Sequence, residues 1–246
     1  MNSINPLHWW HVFLALPNTR PVKTIGIAFL VALACSFAVA LIAVTLKPLH
    51  DANRLRDSAA SLVEVMEALG LGMPKMRLVE LASGTYAKQD PGTRAVLDPA
   101  RDFAGLDKLE TVATVYELRE GDRLKLVILP VRGAGYQSTL KGYLALKGDL
   151  NTIAALRFHE QNETPGMGAR IEEMKWQALW AGKQLADVNG VIRIEVVKGK
   201  SEGEHQVDGI SGATRTVSGV TTLLHFWLGP DGYGPYLARL KSEKGE

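Results

Sequence analysis

Residues 24–46 carry no charged side chain, and a helix of that length is enough to cross a hydrocarbon core of about 30 Å. The stretch predicts a single membrane-spanning helix. A cleaved signal peptide has a shorter apolar region with small residues at its end, whereas here Leu41-Ile42-Ala43-Val44 continues past the small residues. Cys35 follows Ala32-Leu33-Ala34, a weak lipoprotein-like string, but it lies inside the apolar run and reads as an ordinary membrane-core cysteine. Ahead of the span, Trp9 and Trp10 with Val12, Phe13 and Leu14 predict a short interfacial segment within 1–23, because Trp rings settle at the membrane boundary. Behind it, Leu55, Leu62, Val65, Met66 and Leu69 recur at helical spacing opposite charged positions. They predict a juxtamembrane helix within 47–74 that ends near Gly70 to Pro74.

The pattern then changes. Residues 75–100 mix apolar positions with Gly, Pro and Asp and predict only short elements. Two β-rich runs, 111–118 and 124–131, flank a short Gly-containing turn at 119–123 and predict a hairpin. Residues 142–147 and 153–158 add two strands, and 191–197 a further one. Residues 169–181 predict a helix that packs Ile171, Met174, Trp176 and Trp180. A last helix begins at 214, where Val217, Val220, Leu224 and Leu228 form a stripe widened by Leu223, Phe226 and Trp227, and it stops at Gly229-Pro230. The fold class is therefore α+β: one N-terminal transmembrane helix, then one domain over 75–246 with a mainly antiparallel sheet and packed helices.

Composition narrows the chemistry by exclusion. A net charge of +2 with no Lys/Arg-rich block gives no nucleic-acid motif. One cysteine cannot by itself hold a four-thiolate iron–sulfur cluster or form an internal disulfide. His8 and His11 are too few to make a metal site. Gly133-Ala134-Gly135 is followed by loop and strand signals rather than the helix a dinucleotide fingerprint needs, so NADH is not expected to bind here. The span holds no ionisable residue, and an ion path through hydrocarbon normally needs such groups. Arg20 and Lys23 precede the span while Lys47, Arg54 and Arg56 follow it, so charge does not decide its orientation.

Candidate chemistry concentrates in Asp208-Gly209-Ile210-Ser211-Gly212-Ala213-Thr214, directly before the last helix. Small residues let the backbone turn tightly, and the first N–H groups of the helix attract an anion. Taken alone, the string is an ordinary loop and cap. It resembles, however, the flavinylation signature of the FMN-binding domain family, in which Ser-Gly-Ala-Thr carries FMN as a phosphoester on its last Thr. A second stretch, Glu163-Thr164-Pro165-Gly166-Met167-Gly168, resembles that family's loop against the flavin, with Met167 where Leu is usual. A third, containing Gly135, Tyr136 and Ser138 and followed by Gly142-Tyr143 and Asp149-Leu150-Asn151-Thr152, is similar to the C-subunit family of sodium-translocating NADH:quinone oxidoreductases. That family usually reads Leu-Trp where this chain has Tyr136-Gln137.

The resemblance implies covalent FMN on Thr214, with Asp208, Ser211, Gly212, Ala213, Glu163, Thr164, Pro165, Gly166, Met167, Gly135, Tyr136 and Ser138 around it. It implies no catalytic residue and no metal ligand in this chain. It also implies a single-pass inner-membrane protein within a complex of six subunits, with its domain in the periplasm. Maturation would use a separate flavin transferase that takes FMN from FAD with magnesium. Electrons would arrive from an iron–sulfur centre and leave to the covalent FMN of a neighbouring subunit. Thr216 and Ser218 are competing hydroxyls beside Thr214. Three other readings stay open: the G subunit of the related Rnf complex, a membrane-anchored hydrolase using Ser211 with His205 and Asp208, and a flavin-free assembly protein.

Overall fold

The computed structural model describes residues 15, 17, 21–68, 72 and 74–243. His8, Trp9, Trp10 and His11 lie outside the described residues. The chain divides into two compact units, Met1–Arg54 and Leu55–Glu246.

Helix α1 (Pro21–Ala68) contains the apolar stretch Lys23–Leu49, which is long and apolar enough to cross a membrane and has no buried face. Helices that are apolar all round suit lipid rather than water. The membrane and juxtamembrane segments, expected as separate elements, form one helix. Pro48 sits inside it, forfeiting one backbone hydrogen bond because proline has no N–H. Near this point Thr45 Oγ1 donates to the carbonyls of Leu41 and Ile42, both at 3.0 Å.

In the second unit the sheet is built from β1 (Lys75–Glu80), β4 (Val112–Glu120), β5 (Arg123–Ala134), β6 (Thr139–Lys147) and β7 (Ile153–Glu160). Their spatial order is β1-β4-β5-β6-β7, with every neighbouring pair antiparallel. Two small ribbons accompany it: antiparallel β2 (Arg94–Val96) with β3 (Lys108–Glu110), and parallel β8 (Glu195–Val197) with β9 (Gln206–Asp208). The expected hairpin is β4–β5. Gly121 takes φ 60° at its tip, a left-handed value that glycine adopts without steric cost.

The central strand β5 buries both of its faces. Val127, Leu129 and Val131 join the main core, while Leu126 and Ile128 join a smaller cluster with Tyr143 and Ala145. Helix α3 (Thr214–Leu228) packs on the main face through Val217, Val220, Leu223, Leu224, Phe226, Trp227 and Leu228, all buried. Each such side chain contributes about 1.5–3 kcal/mol by leaving water. Trp227 Nε1 donates to the Arg132 carbonyl at 2.6 Å, which fixes the helix against the end of β5. Helix α4 (Gly234–Ser242) closes the chain and inserts Tyr236 beside the sheet. There the buried Glu117 accepts from Tyr86 at 2.6 Å, Tyr236 at 2.8 Å and Arg119 at 2.8 Å.

Two expectations need correction. The single helix over 169–181 is instead a 3₁₀ turn (Gly168–Glu172), the four-residue helix α2 (Met174–Gln177) and a second 3₁₀ turn (Ala178–Trp180). Glu173 is extended (φ −64°, ψ 128°) and interrupts it. Ile171, Trp176 and Trp180 are buried as expected, but Met174 is 77 % exposed. Beyond the break Trp176 and Trp180 meet edge to face at 5.5 Å, and Trp176 Nε1 donates to the Asp208 carbonyl at 2.9 Å. The strand over 191–197 shortens to β8: its partner β9 is only three residues long, and Val191 is held in the turn that precedes it by its hydrogen bonds with Asp187.

Candidate functional site

Helix α3 begins at Thr214, behind Ala213 at φ −119° and ψ 31°, and no side chain caps its first turn. Three contacts form the turn in front of it. Ala213 N–H donates to the Ile210 carbonyl at 3.1 Å, Gly209 N–H to the Gly199 carbonyl at 2.9 Å, and Val217 N–H to the Ala213 carbonyl at 3.0 Å. Gly212 takes φ 78°, a conformation open to glycine and strained for most other residues. At Gly209 a Cβ would stand 2.3 Å from the Val197 carbonyl oxygen, so the turn approaches β8 as closely as backbone allows. Small residues are therefore required at two points of the Ser-Gly-Ala-Thr region for different reasons.

Two clefts meet there. The first, about 370 Å³, is lined by Tyr136, Thr164, Met167, Gly212, Thr214 and Arg215, among others. The second, about 510 Å³, is lined by Lys198, Lys200, Asp208, Ser211, Thr214 and Ser218, among others. Thr214 and Gly212 border both. Thr214 is exposed, whereas Thr216 is only 2 % exposed and donates its hydroxyl to Glu163 Oε2 at 2.6 Å. A helix turns by about 100° per residue, so residues two positions apart face nearly opposite sides, one hydroxyl toward the cleft and the other toward the core.

Glu163 ties this region together. Its carboxylate accepts from the N–H groups of Tyr136 at 3.1 Å, Gln137 at 3.0 Å and Ser138 at 3.1 Å, from Ser138 Oγ at 3.1 Å, and from Thr216. One buried carboxylate thus joins the 135–138 loop, the 163–168 loop and the first turn of α3. Burial pushes its pKa up, but the hydrogen bonds from Thr216 and the three backbone N–H groups outweigh that and hold it below the usual carboxylate value. Gly168 is needed beside it, since a Cβ there would lie 2.5 Å from Thr216 Oγ1 and 2.8 Å from Glu163 Cβ.

The sequence-predicted residues separate accordingly. Tyr136, Thr164, Met167, Gly212, Ala213 and Thr214 line the first cleft, and Asp208, Ser211, Gly212 and Thr214 the second. Pro165 and Gly166 are the corners of a β-turn closed by Met167 N–H on the Thr164 carbonyl at 3.1 Å, with Gly166 at φ 75°. The turn presents Thr164 and Met167 to the cleft without lining it itself. Gly135, Ser138 and Glu163 stand behind the wall as its bracing rather than on it. Asp208 accepts from Ser201 N–H at 2.7 Å, which lowers its pKa and orders the lysine-bearing 198–201 loop rather than the turn before α3.

Ser211, His205 and Asp208 do not assemble as a hydrolase requires. His205 Nδ1 lies 3.0 Å from the Gln184 carbonyl, and Asp208 is engaged by Ser201. Among the described residues no cluster of His, Cys, Asp or Glu has the form of a metal site. Lys198, Lys200 and Arg215 carry the positive charge of the two clefts and were not singled out from sequence. Only the folded structure brings Lys198 and Lys200 to Thr214 and stacks Arg215 on Tyr136.

Comparison with known proteins agrees with this geometry. A family profile for the FMN-binding domain matches residues 135–229, which contain the bracing loops, the Thr214 turn and helix α3. The C subunit of the Na(+)-translocating NADH-quinone reductase of Pseudomonas aeruginosa is 40 % identical, over 91 % of this chain and 97 % of its own length. Its counterpart in Vibrio parahaemolyticus is 35 % identical, over 93 % and 98 %. The crystal structure of Shewanella oneidensis NqrC superimposes with a TM-score of 0.64 at 31 % identity, covering 69 % of this chain and 85 % of that one. The α+β fold, the three separated motifs and the full-length relatives thus converge: the chain belongs to the C-subunit family of Na(+)-translocating NADH-quinone reductases and contains that family's FMN-binding domain.

Proposed function

We propose that the chain carries FMN as a phosphoester on Thr214 and relays electrons between its neighbours in a complex of six subunits. Its domain would face the periplasm and be tethered by the single helix α1. The observation that carries the assignment is the contrast between two hydroxyls in one helical turn: Thr214 stands exposed where two clefts meet, and Thr216 is buried and committed to Glu163.

The residues present suit the cofactor. Tyr136, Thr164 and Met167 offer a mixed apolar wall for a planar ring, in a cleft of a size usual for small-molecule sites. Lys198, Lys200 and the uncapped first turn of α3 place positive charge around the Thr214 hydroxyl, where a phosphodiester would sit. Ser211, Gly212 and Ala213 leave the hydroxyl open to a transferase. In the attachment step the Thr214 oxygen bonds to phosphorus, the pyrophosphate bond of FAD breaks, AMP leaves, and the hydroxyl proton passes to a base of that transferase. Once attached, the flavin supplies electron exchange in single steps, and the tether holds it at high effective concentration.

Co-expression with a flavin transferase, denaturation and in-gel fluorescence test the reading. Wild-type protein is expected to fluoresce and Thr214→Ala to be dark. Fluorescence in Thr214→Ala would overturn the attachment site. A dark wild type, with a known transferase substrate labelled in parallel, would overturn the electron-carrier role. For orientation, protease added to intact spheroplasts is expected to degrade the 75–246 domain, and protection would place it in the cytoplasm.

A further inference from the structure

Arg215 occupies the first turn of α3, directly after the attachment residue, and lines the first cleft. Its guanidinium carbon lies 5.4 Å from the centroid of the Tyr136 ring, which lines the same cleft and is 52 % exposed. Among the described residues Arg215 has no ion pair and no hydrogen bond to a carboxylate. The ring alone holds the cation in place.

The position is otherwise unfavourable. The N-terminal end of a helix carries partial positive charge, so an added cation in the first turn is repelled. No acidic residue in that turn offsets it. A residue that breaks a local rule beside a ligand cleft points to a purpose in the loaded site. Lys198, Lys200 and Asp208 border the second cleft, and among the described residues Arg215 is the one charged side chain lining the first.

We propose that Arg215, steered by Tyr136, raises the midpoint potential of the flavin bound in the first cleft. The inference rests on the FMN reading above and deepens it. A flavin that takes two electrons and one proton gains one negative charge on its ring, and a nearby guanidinium stabilises that charge relative to the neutral oxidised ring. Tyr136 is a positioning residue here: it keeps the guanidinium over the cleft instead of in solvent. Because the site is open to water, the effect falls with ionic strength.

The test is a dithionite titration of the flavinylated full-length chain in detergent, in which the titrant supplies the two electrons and water the proton. Covalent flavin is quantified on a denaturing gel for every sample. Arg215→Gln is expected to shift the equilibrium toward the oxidised flavin about tenfold, a fall of about 30 mV for a two-electron couple. Arg215→Lys, which keeps the charge, should retain most of the wild-type value, and Tyr136→Leu should fall between. Raising salt should lower the wild-type potential and leave Arg215→Gln nearly unchanged. Equal potentials in wild type and Arg215→Gln, both fully loaded, would overturn this inference and leave the FMN reading intact. Loaded wild type beside flavin-free Arg215→Gln and Arg215→Lys would also overturn it, since the residue would then serve attachment. Flavin-free wild type would remove the reading on which both rest.

Discussion

At the residue scale the site depends on where a few oxygens point. Thr214 and Thr216 are separated by a single intervening residue, yet one hydroxyl borders both clefts and the other is hydrogen-bonded to a buried carboxylate. Glu163→Ala removes the acceptor for three backbone N–H groups, for Ser138 and for Thr216. Unsatisfied buried donors cost about 1–3 kcal/mol each, and relaxation or water recovers part of the sum. Urea denaturation is expected to show a loss of about 3 kcal/mol or more, accompanied by weaker flavin loading. A loss within about 0.5 kcal/mol would show that the loops hold their shape without this brace. The sequence singled out Thr214 as a candidate because a motif surrounds it, and the fold places it on the lining of both clefts. Glu163 was legible as a residue of interest but not as a brace, since its partners lie 25 to 53 positions away and only the folded sheet brings them together. Arg215 carried no signal until its stack on Tyr136 was visible.

At the scale of elements, helix α3, which begins at Thr214, packs closely on the end of β5. Gly219 makes that approach possible. A Cβ there would lie 2.4 Å from the Ala134 carbonyl oxygen, a backbone atom that cannot swing aside. Alanine is intrinsically better than glycine in a helix by about 1 kcal/mol, so an exposed site would be stabilised by the change. Here overpacking, at about 1–3 kcal/mol, is expected to outweigh that gain, and thermal melts of Gly219→Ala should show a lower Tm. A higher Tm would mean that the helix shifts freely on the sheet. The strongly periodic elements were readable in advance: α3 from its stripe, β4–β5 from alternation around a glycine turn. The 168–180 region was not, because Trp176 and Trp180 suit one helical face and nothing local shows that Glu173 is extended. Helix α4 was missed although Pro235 lies near its start and Tyr236, Leu237 and Leu240 face the core, since its nine residues are bounded by a glycine-rich stretch that reads as loop.

At the scale of the whole molecule, two buried carboxylates make the domain sensitive to acid. Burial raises the pKa of Glu117, but hydrogen bonds from Tyr86, Arg119 and Tyr236 prevail and lower it, as the brace does for Glu163. A carboxylate whose folded pKa lies below its unfolded value adds stability at neutral pH. That contribution begins to fade as the pH falls through the unfolded value of about 4.3 and is gone below the folded one. Tm is therefore expected to drop as the pH falls below about 5, with a shallower fall in Glu117→Gln and Glu163→Gln. Identical slopes in wild type and both variants would assign acid sensitivity to other groups. The division into a membrane-type helix and a sheet domain was readable from hydropathy alone. That the helix runs unbroken through Pro48 was not, because a proline in sequence signals a boundary more often than it marks a continuous helix.

Peptide mass spectrometry tests the central claim most directly. Trypsin cleaves after Lys200 and Arg215, so Thr214 falls in peptide 201–215, while Thr216 and Ser218 fall in the next one. From protein matured with a flavin transferase, peptide 201–215 is expected to carry one added FMN less a water, with fragmentation placing it on Thr214 rather than Ser201 or Ser211. An unmodified 201–215 with the flavin on the following peptide, or no flavin on either, would contradict it.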